Sequence, residues 1–189
     1  MNMPALIKVW DLPLRIFHWL LVLGFTVAYL TEDELLDIHV WAGYLVFALL
    51  AFRLVWGFIG SPYARFSQFL CSPLASIAYI KDLLAAKAKR YLGHNPAGAA
   101  MIVLLLLSLL ATTLSGFAVY GADQGAGPLA GIGSDNEELW EEIHEFFANF
   151  SVVLIVLHIA GVILESVIHK ENLAKAMIQG SKKSLDDKL

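Results

Sequence analysis

Charge and cysteine are what this chain has least of. Of its 189 residues 16% are charged and 58% are hydrophobic, and the mean hydropathy is +0.67. That balance excludes an ordinary soluble domain and reads as a polytopic membrane protein, with the lipid bilayer as a partner and no nucleic acid expected. Cys71 is the single cysteine, so an internal disulfide, a zinc site of several cysteines and covalent haem attachment through C-x-x-C-H are all excluded. In the apolar stretch "QFLCSPLAS" it reads as a small packed side chain.

A transmembrane helix needs roughly 20 mainly apolar residues, and four windows meet that requirement. They run about 14–30, 38–59, 97–120 and 146–168. The first is followed by acidic "TEDELLD" without a small-x-small cleavage pattern, so it is expected to stay attached. All 13 Lys and Arg fall on one side of the resulting topology. The opposite loops carry Glu32, Asp33, Glu34 and Asp37, then Asp123, Asp135, Glu137, Glu138, Glu141 and Glu142. The positive-inside rule therefore predicts both termini in the cytoplasm and an acidic outer face.

Between the second and third spans, Ser72 followed by Pro73 reads as an N-cap and first helical residue. The residues up to about Leu92 read as a basic amphipathic helix lying along the inner membrane surface. The glycine-rich outer loop switches at Ser134 or Asp135 into an acidic helix start, and the C-terminal "QGSKKSLDDKL" reads as a solvated tail. No fixed-period repeat or linker breaks the chain. The expected fold is an all-α membrane protein, a four-transmembrane-helix bundle with one extra interfacial helix, forming a single domain over 1–189.

Burying an imidazole in hydrocarbon is costly unless something compensates it. Four of the six histidines, His18, His39, His144 and His158, nevertheless fall within or at the ends of spans. His144 and His158 are 14 residues apart on the fourth span. That spacing is about 21 Å along a helix and brings both rings to within about 40° of one direction. Threading the antiparallel topology sorts the four into two layers, His39 with His144 toward the outside and His18 with His158 toward the inside. Two neutral imidazoles on facing helices are the axial ligand set of a six-coordinate haem. Two layers mean two b-type haems, held without covalent attachment.

Glycine gives a porphyrin room between helices, and Gly24, Gly43, Gly116 and Gly161 all lie within spans, though plain helix packing also uses glycine. Arg15, one turn from His18, reads either as a partner of inner haem propionates or as a positive-inside anchor. Arg53, well inside the second span, needs an inner anion such as a propionate or a route to the interface. Trp19 and Trp41 belong to the aromatic belt or line haem faces; His94 and His169 read as interfacial residues or as propionate partners.

The "R-x-x-H-W" of residues 15–19, the His39 to Gly43 segment, the "GHNP" of residues 93–96 and the paired histidines of the fourth span resemble the bacterial cytochrome b561 family. That family includes the b-type membrane subunits of nickel-iron hydrogenases and related quinone-linked cytochromes. The resemblance covers about Lys8 to Lys170 and places the axial ligands on His18, His39, His144 and His158. It implies a four-helix bundle in the bacterial inner membrane that exchanges electrons between quinone and a periplasmic redox protein, either a cytochrome c or a hydrogenase. The "KVWDLP" lead-in and "GHNP" look closest to members working with periplasmic cytochromes c. An alternative of the same class is a superoxide:quinone oxidoreductase, against which the acidic outer mouth argues. A haem-free assembly subunit and a metal transporter are the alternatives of other classes; only Glu145 and Glu165 stand inside the spans to serve the latter. Small-residue faces on the third span would permit a homodimer.

Overall fold

A computed structural model describes residues 5–32, 35–131 and 136–184. Two short strands and seven helices follow in order among the described residues: β1 (Leu6–Lys8), α1 (Leu12–Leu30), α2 (Leu36–Ile59), a 3-10 turn (Pro62–Ala64), α3 (Phe66–Phe69), α4 (Pro73–Leu84), α5 (Pro96–Gln124), α6 (Glu137–Ile168), α7 (Leu173–Gln179) and β2 (Ser181–Lys183). Helices α1, α2, α5 and α6 are long and apolar enough to cross a bilayer. In their most apolar windows only 17%, 33%, 39% and 17% of the residues are buried within the protein. Water would not tolerate so much outward-facing Leu, Ile, Val and Phe, whereas hydrocarbon does.

The chain forms two compact units, one from 1–18, 52–103 and 156–189, the other from 19–51 and 104–155. Each of the four long helices contributes to both. In the first unit the helix starts are capped as their sequences require. Asp11 Oδ1 accepts the Leu14 N–H at 2.8 Å, Ser72 Oγ that of Ala75 at 3.3 Å, and Asn95 Oδ1 that of Gly98 at 2.7 Å. Part of the "GHNP" signal is therefore local: Asn95 is the cap of α5 and Pro96 its first residue.

In three places the sequence reading needs correction. The interfacial helix stops at Leu84 instead of about Leu92. Ala86 turns into the left-handed region at φ 55°, and the following segment is drawn away by long-range bonds. Tyr79 Oη lies 3.0 Å from the Lys89 carbonyl, and Arg90 pairs with Glu171 at 2.7 Å. Nor is the C-terminus wholly a solvated tail, for β2 pairs antiparallel with β1, Ile7 opposite Lys182. Lys182 is buried, donating to the Tyr91 carbonyl at 2.9 Å and lying 3.3 Å from Glu171. Burial alone would raise the Glu171 carboxyl, but the Arg90 hydrogen bonds and the Lys182 charge outweigh it and hold it below its ordinary value. Finally, Cys71 is exposed, because it sits in the turn just before the Ser72 cap, with Sγ 3.5 Å from Ser76 Oγ.

The fourth span begins earlier than its apolar run, at Glu137, since the acidic segment is already helical; its expected start at Ser134 or Asp135 lies outside the described residues. Gly180 closes the terminal clasp. It adopts φ +84° as the cap of α7, and its carbonyl accepts the N–H groups of Val9 and Trp10 at 2.8 and 3.0 Å. A Cβ there would lie 2.6 Å from the Trp10 carbonyl oxygen. Gly180→Ala is expected to cost about 1–3 kcal/mol and open the clasp, read as faster protease cleavage of the C-terminal segment.

In the second unit Val46, Leu50 and Leu109 form a buried core packed by Leu21, Phe25 and Leu106. Gly24 belongs to this packing, since a Cβ would meet Val46 Cγ2 at 3.3 Å. The hydroxyls of "SLLATTLS" on α5 are satisfied within the helix, Thr112 bonding the Ser108 carbonyl at 2.9 Å and Ser115 that of Ala111 at 2.8 Å. Ser108 also meets the fully buried Ser151 of α6, Oγ to Oγ 2.8 Å. In an apolar solvent such internal partners are the only ones on offer.

Candidate functional site

Two histidines meet in the second unit. His39, in the first turns of α2, and His144, in α6, have ring centroids 5.9 Å apart with planes at 81°. His39 Nδ1 lies 2.8 Å from the Ala28 carbonyl of α1, and His144 Nδ1 lies 2.8 Å from the Thr112 carbonyl of α5. A carbonyl can only accept, so each Nδ1 carries the proton and each Nε2 presents a lone pair. This is the state in which imidazole binds a metal, with its orientation held from behind by a backbone oxygen. Metal–imidazole bonds of roughly 2 Å on both sides of one ion would place the ring centroids about 6 Å apart.

The surroundings fit a flat cofactor. His39, Gly43, Thr112, Gly116 and His144 line one cavity. A Cβ built on Gly43 would meet nothing within 4 Å, so this face of α2 leaves open volume. Gly116 has a different role, because a Cβ there would come within 2.9 Å of His144 Cε1. Only glycine lets the His144 ring lie against α5 and reach the Thr112 carbonyl. Among the described residues no three His, Cys, Asp or Glu side chains converge to hold a bare ion. A porphyrin supplies four nitrogens of its own, and two axial imidazoles complete its set.

The first unit holds both His18 and His158. His18 of α1 and His158 of α6 lie close enough to interact electrostatically, and Gly161, three residues past His158, again leaves open space around its Cα. Arg53 is only 2% exposed. Its Nη2 donates to the Ala64 carbonyl at 3.0 Å and its guanidinium stacks 4.6 Å from the Phe66 ring, but Nη1 is buried without a hydrogen-bond partner. Arg53 stands 14 residues after His39, the offset that separates His158 from His144. By that helical spacing Arg53 falls on much the same side of α2 as His39.

His94 is clasped between Trp10 and Phe69, ring centroids at 4.6 and 4.7 Å, with its Nδ1 buried and without a partner. Burial first, then the charges of Arg53 and Lys182, push its pKa down to about 3, so the ring is neutral at physiological pH. It is a half-buried residue of the loop before α5, with Nδ1 shielded from solvent. Arg15, by contrast, donates from Nη1 to the Ile178 carbonyl at 2.5 Å, bracing the last turn of α7. Trp19 is 43% exposed and Trp41 73%, as aromatic-belt residues are. Sequence reading passed over two residues altogether: Tyr79, and Glu165 as anything beyond an isolated acid. The available signal was that Glu165 follows His158 by seven residues and so shares its helix face.

Comparison with known proteins gives the same direction. Residues 9–180 match the family model described as prokaryotic cytochrome b561. Relatives include probable Ni/Fe-hydrogenase B-type cytochrome subunits of Rhodobacter capsulatus, 26% identical over 97% of this chain and 84% of that protein, and of Azotobacter vinelandii, 25% identical over 96% and 90%. A similarly named subunit of Cupriavidus necator is 24% identical over 91% and 85%. No solved structure matches the chain. Four lipid-facing helices, two histidine pairs and a family match over nearly the whole length lead to one conclusion: the chain belongs to the prokaryotic cytochrome b561 family and is a multi-pass membrane electron-transfer protein that uses haem b.

Proposed function

We propose that the chain is a diheme cytochrome b that moves electrons across the bacterial inner membrane, between a membrane quinone and a redox protein on the outer side. The observation that carries this reading is the His39–His144 pair, with both Nδ1 protons committed to carbonyls and the rings 5.9 Å apart. His18 and His158 are the second pair. Haem b, when bound, supplies a reversible one-electron centre. The protein contributes the rest. Its paired imidazoles would hold the haem iron, Gly43 and Gly161 leave room beside them, and Arg53 would offer a buried cation to a propionate.

The names of the relatives support a hydrogenase-like partner, and the acidic outer loops suit a basic patch on it, whether on a hydrogenase or a cytochrome c. Placement of all Lys and Arg to one side supports cytoplasmic termini, and the two units together would form the single domain. The decisive measurement is haem type and stoichiometry of the purified chain by pyridine haemochrome. Two b haems per chain, both low-spin in the optical spectrum, are expected. One haem per chain, or a colourless preparation, would overturn the diheme reading.

A further inference from the structure

Glu165 is a buried carboxylate with no place in the haem reading. It is 8% exposed and stands on α6 seven residues past His158, two turns inward on the same face. The stripe His158, Gly161, Glu165, His169 follows i+3 and i+4 steps along that face. Gly161, in the middle, carries no side chain to fill the space between the carboxylate and His158. At the inner end His169 Nε2 lies 3.3 Å from Glu165 Oε2. His169 is half-buried, and its Nε2 is shielded from solvent and makes no hydrogen bond.

Tyr79 faces Glu165 from α4. Its hydroxyl donates to Glu165 Oε1 at 2.7 Å and has a second acceptor, the Lys89 carbonyl, at 3.0 Å. Burial, then the hydrogen bond and charge of Glu165, raise the Tyr79 hydroxyl above its ordinary value, so it stays a donor. One proton with two acceptors makes a built-in accommodation. When Glu165 is ionised Tyr79 bonds to it, and when Glu165 is protonated Tyr79 can turn to Lys89. The other groups around the carboxylate are Tyr91, which stacks edge-on against Tyr79 at 5.7 Å, and Lys182 of β2, whose charge reaches Glu165 but is already paired with Glu171.

We propose that Glu165 is a redox-linked proton-binding site. When an electron supplied by the outer redox partner reaches the inner layer, the Glu165 carboxylate takes one proton from the inner aqueous side, forming a carboxyl O–H. When that electron leaves for a quinone-class acceptor, the same O–H bond breaks and the proton leaves with it. The physical driving force is charge compensation, since an added electron in a low-dielectric interior raises the proton affinity of a carboxylate nearby. Linkage makes the coupling reciprocal, so the reduction potential of the inner centre falls as pH rises. This inference rests on His18 and His158 holding a haem.

The test is an equilibrium redox titration of the full-length, haem-loaded protein in lipid nanodiscs across pH 6 to 9, with redox-difference infrared spectra of the same samples. In the native protein one haem component is expected to have a pH-dependent potential, accompanied by a carboxyl C=O band on reduction. Glu165→Gln is expected to retain two haems yet lose both the slope and the band. Tyr79→Phe, which removes a hydrogen bond to the ionised form, is expected to move the slope to higher pH. Native potentials that ignore pH, or a slope unchanged in Glu165→Gln, would overturn the proposal while leaving the diheme reading intact. A native preparation with no inner haem in the pyridine haemochrome count would overturn both, and these outcomes are distinguishable.

Discussion

His144→Ala is expected to reduce the haem content of the purified protein from two per chain to one, and Gly116→Leu is expected to do nearly the same without touching a ligand. The second variant is the more informative. A Cβ at Gly116 would lie 2.9 Å from His144 Cε1 and 3.1 Å from its Nδ1, so a larger side chain must displace the ring. Displacement breaks the 2.8 Å bond from Nδ1 to the Thr112 carbonyl, which sets both the tautomer and the orientation. Loss of such an outer support typically weakens metal-site affinity by about 10 to 100-fold. Haem stoichiometry after mild detergent washing reads this directly, and Gly24→Ala is the control, since the atoms nearest a Cβ at Gly24 belong to Val46 and Leu45 and not to a histidine. A Gly116→Leu protein that retains both haems through the wash would remove α5 from the outer site.

Arg53→Met is expected to release the inner haem, and by a larger factor. A guanidinium that is 2% exposed, with Nη1 lacking a hydrogen-bond partner, is electrostatically costly until an anion arrives. Removing the cation leaves any propionate that it pairs with buried and uncompensated, which costs about 3–5 kcal/mol, or at least a hundredfold in affinity. Arg53→Lys would keep the charge but lose the fork that reaches both the Ala64 carbonyl and an anion, and should fall between the two. The check is competition of the purified variants for haem against apomyoglobin. Equal haem retention by native and Arg53→Met protein would mean that Arg53 serves only the α2-to-loop contact at Ala64 and its stacking on Phe66.

The two variants probe different kinds of legibility. The histidine pairs could be read from the sequence because a 14-residue spacing on a helix is a geometric statement in itself, and because a lone imidazole in hydrocarbon needs a reason. The four spans were equally legible, since hydropathy reports which solvent a segment prefers and lipid contact requires no knowledge of neighbours. Even Asn95 and Pro96 could be placed locally, as a cap and a first residue. Gly43 and Gly116 were both noted as room for a cofactor, yet the chain alone did not distinguish an open wall from a contact surface for His144.

Tertiary structure decided what depends on residues distant in the chain. Three-residue strands carry no pattern of their own, so the β1–β2 clasp and the burial of Lys182 follow only from bringing the two termini together. The run after Leu84 has the alanine and lysine content of a helix, but bonds from Tyr79 and Glu171 stabilise another path for it. Tyr79 and Glu165 are 86 residues apart and meet only once α4 has packed beside α6. By itself, then, the sequence determined the solvent of this protein, its helices and the spacing of its histidines, because each follows from composition or from helical period. Which carbonyl orients an imidazole, which glycine it presses against and which carboxylate is buried beside it were decided by packing, whose energies are short-ranged and set by partners that no local pattern names.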